Sequence, residues 1–76
     1  MDKRILYAAM LRLKSSPEFA PIREYLDGIL DECRDSLVTL TNMDYVKVVQ
    51  GKAQALKEFL DLVERSDKLL DQLNGR

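Results

Sequence analysis

The chain has 76 residues, with 12 basic and 13 acidic side chains and a formal charge of -1, so it makes one small domain with no global basic field to draw it onto nucleic acid. Its single cysteine excludes an internal disulfide, and the absence of histidine removes a common zinc ligand and the commonest general base at neutral pH. Apolar residues make up 46% and charged residues 33%, a mixture suited to amphipathic helices, and no apolar run is long enough to span a membrane.

The N-terminal stretch "MDKRILYAAMLRLKSS" has the outline of a signal peptide, but Arg12 and Lys14 interrupt its apolar part, so a cytoplasmic chain is expected. The same stretch predicts helix A over residues 2–14. Asp2 is its N-cap, and Ile5, Leu6, Ala9, Met10 and Leu13 recur at helical spacing. "SSPEFAP" then breaks the pattern. Ser16 followed by Pro17 reads as a cap and first helical position, and Pro21 repeats the signal and disfavours a helical Ala20. A short turn over Pro17 to Phe19 is expected, with helix B over 21–40. Its stripe runs through Ile22, Leu26, Ile29, Cys33 and Leu40, with Ser36 in the same register and Tyr25, Leu30 and Leu37 widening it. At "TNMD", Thr41 with Asp44 three residues on resembles a capping box. Helix C then meets no breaker until Asn74 and Gly75, so it is predicted to run unbroken over 43–73.

Helix C carries one seam through Val46, Val49, Ala53, Leu56, Leu60, Val63 and Leu70, close to the heptad spacing of a coiled coil. A second row follows Tyr45, Val48, Ala55, Phe59, Leu62, Leu69 and Leu73. One partner helix cannot cover both. Helix B folds back on the first seam, with Leu26 near Leu56 and Ile22 near Leu60, and helix A lies beside the last turns of helix C. The expected fold is all-α: a single domain built as a long antiparallel helical hairpin, one arm broken at Pro17 and Pro21.

The second row is left without a partner, as are Tyr7 and Leu11 on helix A. Soluble monomers rarely keep such a patch, so a second copy is expected to cover it, giving a helical bundle. The expected oligomer interface comprises Tyr7, Leu11, Val48, Gly51, Ala55, Phe59, Leu62, Leu69 and Leu73. Gly51 costs about 1 kcal/mol against Ala in a helix interior. Either it allows two backbones to approach closely in that interface, or it is a tolerated surface glycine.

Residue chemistry points away from catalysis. "QGKAQ" lacks the spacing and preceding strand of a phosphate loop. Cys33 on the helix B stripe reads as a buried small hydrophobe, and as a nucleophile it would lack a histidine to activate it. Asp27, Asp31, Glu32 and Asp35 read as a solvated face with Arg34 beside them. Lys52 falls inside the apolar arc. Its amine can reach an acid such as Asp31 while its stem covers apolar surface, or it can serve binding. Asp67 interrupts the seam near Ser15 and Ser16, where it can cap the proline break. Tyr7, Tyr25 and Tyr45 are interface-rim or ordinary boundary residues. Lys3, Arg4, Arg12 and Lys14 give helix A a positive end, yet the acidic balance elsewhere argues against nucleic acid as a partner. No enzyme activity, cofactor or metal is expected.

Phe19, the Tyr25–Leu26 pair and the run Gln50, Gly51, Lys52, Ala53, Gln54, Ala55, Leu56 before a Leu-rich helix resemble small helical proteins of tailed bacteriophages and prophages. The resemblance covers roughly two-thirds of the chain. It implies a viral origin, location in the host cytoplasm or the virion, and a role in the virion or its assembly. It supplies no catalytic residues. The partners it leaves open are a second copy in a homodimer, other phage structural proteins, or a host protein that the chain engages and inhibits.

Overall fold

The computed structural model describes residues 2–39 and 41–75. They form four α-helices and no strand: α1 (Lys3–Ser15), α2 (Phe19–Thr39), α3 (Met43–Glu64) and α4 (Ser66–Leu73). The fold is all-α, as its periodicity predicts.

Asp2 caps α1 as expected, its carboxylate accepting from the Arg4 N–H at 2.9 Å. Ser16 ends α1 in extended backbone and opens the turn that leads into the next helix. Its hydroxyl accepts from the Glu18 N–H at 3.3 Å, and its carbonyl accepts from the Phe19 N–H at 3.1 Å. Helix α2 therefore begins at Phe19, earlier than the expected residue 21, and Ala20 is helical despite preceding a proline. Pro21 lies in the first turn, where N–H groups lack intrahelical acceptors, so its missing donor is tolerated. Leu40, expected to close helix B, lies outside the described residues. Thr41 and Asn42 make the turn, and the cap of α3 is Asn42 rather than Thr41: its side chain accepts from the Asp44 N–H at 2.9 Å.

The expected unbroken helix over 43–73 is instead two helices parted at Arg65 (φ -97°, ψ 8°). No glycine or proline causes the break. The Ser66 hydroxyl donates to the Val63 carbonyl at 2.7 Å, and the Lys14 ammonium donates to the Glu64 carbonyl at 2.8 Å. Two side-chain donors thus draw carbonyls out of the ladder, which bends a helix. The Arg65 N–H still bonds the Asp61 carbonyl at 2.9 Å and the Leu69 N–H bonds the Arg65 carbonyl at 3.0 Å, so helical hydrogen bonding runs up to the break from both sides.

Helix α2 returns along α3, with the Arg23 guanidinium meeting the Glu64 carboxylate at 2.8 Å far from the turn. Helix α1 packs against α4 and against α3. Lys14, just before the first break, touches residues on both sides of the second, Glu64 and Asp67. Both arms of the hairpin are therefore broken, at one level, where a single broken arm is expected from the prolines.

The core sits at this level. Met10, Phe19, Leu60 and Val63 are buried together, with Leu6, Tyr7, Leu13, Leu26, Phe59 and Leu62 packed around them. Leu30 and Cys33 carry burial further along α2. Leu26 thus packs against the cluster holding Leu60 and Val63, about one turn beyond Leu56, and Ile22 is exposed rather than seated at Leu60. The buried face of α1 is also rotated from the expected one. Tyr7 joins the core, while Ile5 and Ala9 are exposed. The first seam of helix C holds: Leu60 and Val63 are buried, and Val46, Val49, Ala53, Leu56 and Leu70 are half-buried.

Candidate interaction surface

The residues expected to form one interface divide into groups. Tyr7, Phe59 and Leu62 pack against the core of their own chain, because α1 lies across this end of α3. Leu11 and Leu69 are half-buried. Val48, Gly51, Ala55 and Leu73 are exposed, Val48 by 67%. The second row is therefore left uncovered over Val48 to Ala55, towards the α2–α3 turn, and again at Leu73 at the far end of α4.

Gly51 has nothing within 4 Å of the position a Cβ would take. No contact inside the chain requires a glycine there. Lys52 is exposed, and Asp31 lies 3.6 Å from Arg34, its neighbour on the same helix. Asp67 meets Lys14 at 3.7 Å across the break, and its carboxylate accepts from the Lys68 N–H; among the described residues it makes no hydrogen bond to Ser15 or Ser16, so the cap expected of it on the proline break is replaced by an ion pair. Cys33 is buried and free.

Val38 (86% exposed) and Met43 were not among the expected interface residues, yet they flank the turn together with exposed Tyr45. They fall outside the interface chosen from the two rows of helix C, so periodicity gave no signal for them. Ile22 and Tyr25 add a further exposed apolar pair on α2.

Two open grooves mark the surface. One of about 210 Å³ between α2 and α3 has Leu30 and Leu60 on its floor, with Arg23, Arg34 and Lys57 set among Asp27, Asp61 and Glu64. The other, about 310 Å³, follows Glu58, Asp61, Leu62 and Arg65 along α3. Charges of both signs line the first, so it focuses neither anion nor cation. Among the described residues no group of three or more His, Cys, Asp or Glu side chains is placed to hold a metal ion. Among the described residues no helix is long and apolar enough to cross a membrane.

The strongest local electrostatics belong to the break. The hydrogen bond from Arg23, reinforced by the charge of Lys14, holds the Glu64 carboxyl below its usual range. The Lys68 N–H, with Lys14 nearby, does the same for Asp67. Both carboxylates are half exposed to water, so these pairs orient the helices more than they stabilise them.

Comparison of the chain with protein-family models, with curated proteins and with solved structures finds no match in any of the three.

Proposed function

We propose that this chain is a non-enzymatic interaction protein that works as a helical homo-oligomer, an accessory of a phage particle or of its assembly. The observation that carries the reading is surface in excess. The chain exposes 5865 Å². A compact monomer of its mass exposes about 4,800 Å². The difference, about 1,100 Å², is comparable to the roughly 800 Å² per partner that a standard interface buries. The radius of gyration, 15.3 Å against about 11 Å for a compact domain of this length, supports a rod that gains by pairing sideways. Val48, Gly51 and Ala55 form the contact, and Gly51 admits a close approach between copies. The motif around Gln50 to Leu56 supports the phage assignment.

A second reading, a small phage-encoded module that engages and inhibits a host protein, is favoured by one separate observation. Val38, Met43 and Tyr45 crowd exposed apolar surface at the turn. Capture from infected cells separates the two, virion proteins supporting the first and one host enzyme the second.

Sedimentation of Gly51→Ala and Gly51→Leu against wild type tests the homo-oligomer. Leu at a close contact overpacks it at a cost of about 1–3 kcal/mol. Gly51→Leu is therefore expected to shift the mass towards monomer. An unchanged oligomer with a raised melting temperature in Gly51→Leu refutes the close contact, and a wild-type chain that stays monomeric at every concentration refutes the oligomer.

A further inference from the structure

The broken arm is electrically divided. Helix α1 carries Lys3, Arg4, Arg12 and Lys14 and no acidic residue, whereas α2 carries five acidic residues against two basic ones. Little of this charge is spent within the chain. Arg4 lies 3.5 Å from Asp2, and Lys14 is engaged at the break. Lys3 and Arg12 form no ion pair among the described residues, and neither do Glu18, Glu24, Glu32 and Asp35.

Each half also exposes apolar side chains on the face that bears its charges. Ile5, 67% exposed, shares the outer face of α1 with Arg4 and Arg12. On α2, Ile22 and the 69% exposed Tyr25 fall on one helical stripe with Glu32, and exposed Glu18 lies in the turn immediately before the helix. We propose that the outer face of α1, through Arg4, Ile5 and Arg12, docks on the Ile22–Tyr25 stripe of a second copy of this chain, with Glu18 and Glu32 pairing the two arginines.

The dimensions agree. Glu32 stands about 20 Å along the axis from the start of α2, which Glu18 immediately precedes, and Arg4 and Arg12 are about 12 Å apart, so long guanidinium side chains splayed from each end close the difference. Charge complementarity also sets specificity. Like halves, α1 on α1 or α2 on α2, repel, so each half accepts only its opposite. This contact rests on the reading of the chain as self-associating, but it uses a different face from Gly51. A chain with two such faces can extend an assembly beyond a pair.

Charge exchange in the 76-residue chain tests the contact. Arg4→Glu/Arg12→Glu and Glu18→Lys/Glu32→Lys are each expected to weaken self-association at low salt at least about tenfold. An equimolar mixture of the two is expected to recover wild-type association, because every contact in the mixed complex again joins opposite charges. That recovery also establishes that both variants fold. A mixture no stronger than either variant alone overturns the proposal. So do variants that associate like wild type, as they would if the stripe served a basic segment of another protein. If wild type associates and only Gly51→Leu disrupts it, this contact fails and the proposed function stands. A wild type that never associates removes both.

Discussion

Val63 and Val38 offer the same chemical change in opposite surroundings. Val63 is 0% exposed among Met10, Phe19 and Leu60, whereas Val38 is 86% exposed near the end of α2. Replacing Val63 by Ala withdraws two methyl groups from the core, about 1.6 kcal/mol at 0.8 each. The space left behind adds about 1 kcal/mol, because neighbours relax only partly. Ala is the better helix former, which returns about 0.5 kcal/mol. The net loss is about 2 kcal/mol, large against the total of about 4–11 kcal/mol expected for a chain of this length. In a domain this small it lowers the melting temperature by about 8–16 °C. Val38→Ala has only the propensity gain and should melt at or slightly above wild type. Thermal unfolding followed by circular dichroism at one fixed protein concentration measures both, the concentration being held because association raises apparent stability. A Val63→Ala melt within about 2 °C of wild type, or a Val38→Ala melt depressed as far as Val63→Ala, refutes the placement of the core at the break.

Two more predictions concern the break. Glu64 and Asp67 titrate below their ordinary values of 4.5 and 3.8, so the stability they contribute is present above those values and is lost as pH falls through the lowered ones. Urea midpoints measured down the acid limb should fall less steeply in Glu64→Gln than in wild type, and identical slopes count against the Arg23–Glu64 pair. Lys14→Met keeps the apolar stem and removes the donor to the Glu64 carbonyl. It should cost about 1 kcal/mol and speed amide exchange locally at Ser66 to Lys68. Exchange raised equally along the whole chain instead would mean that Lys14 has no special hold on the kink.

Much of this architecture is legible in residue spacing. The first seam of helix C is read correctly because Val46, Val49, Ala53, Leu56, Leu60 and Val63 repeat at helical intervals, and the turn because Thr41 and Asn42 are short polar punctuation. The kink at Arg65 is not legible. Its causes are a serine hydroxyl, ordinary in a helix sequence, and a lysine far away along the chain. Phe19 is misplaced for a related reason. Between two prolines it reads as turn, yet the turn bonded to Ser16 is complete by Glu18, so Phe19 opens α2 and is buried. Tyr7 and Ile5 exchange roles because α1 is apolar around much of its girth, and only contact with α3 and α4 selects the side. The interface expected from the second row assumed that α1 would leave it bare. Phe59 and Leu62, packed against the core, mark how far that assumption fails.

The two breaks also fix rotational phase. Ser16 to Glu18 sets the angle at which α1 leaves α2, and Arg65 sets the angle at which α4 leaves α3. One residue added at Arg65, where helical hydrogen bonding runs up to the break on both sides, turns α4 by about 100° and shifts it by about 1.5 Å. Such a turn would carry Asp67 off Lys14 while leaving every helix intact in itself. The same insertion in the Thr41–Asn42 turn lengthens a loop and leaves these contacts in place. Tolerance to length change should therefore follow local irregularity: the loop accepts an extra residue, and the junction at Arg65 does not.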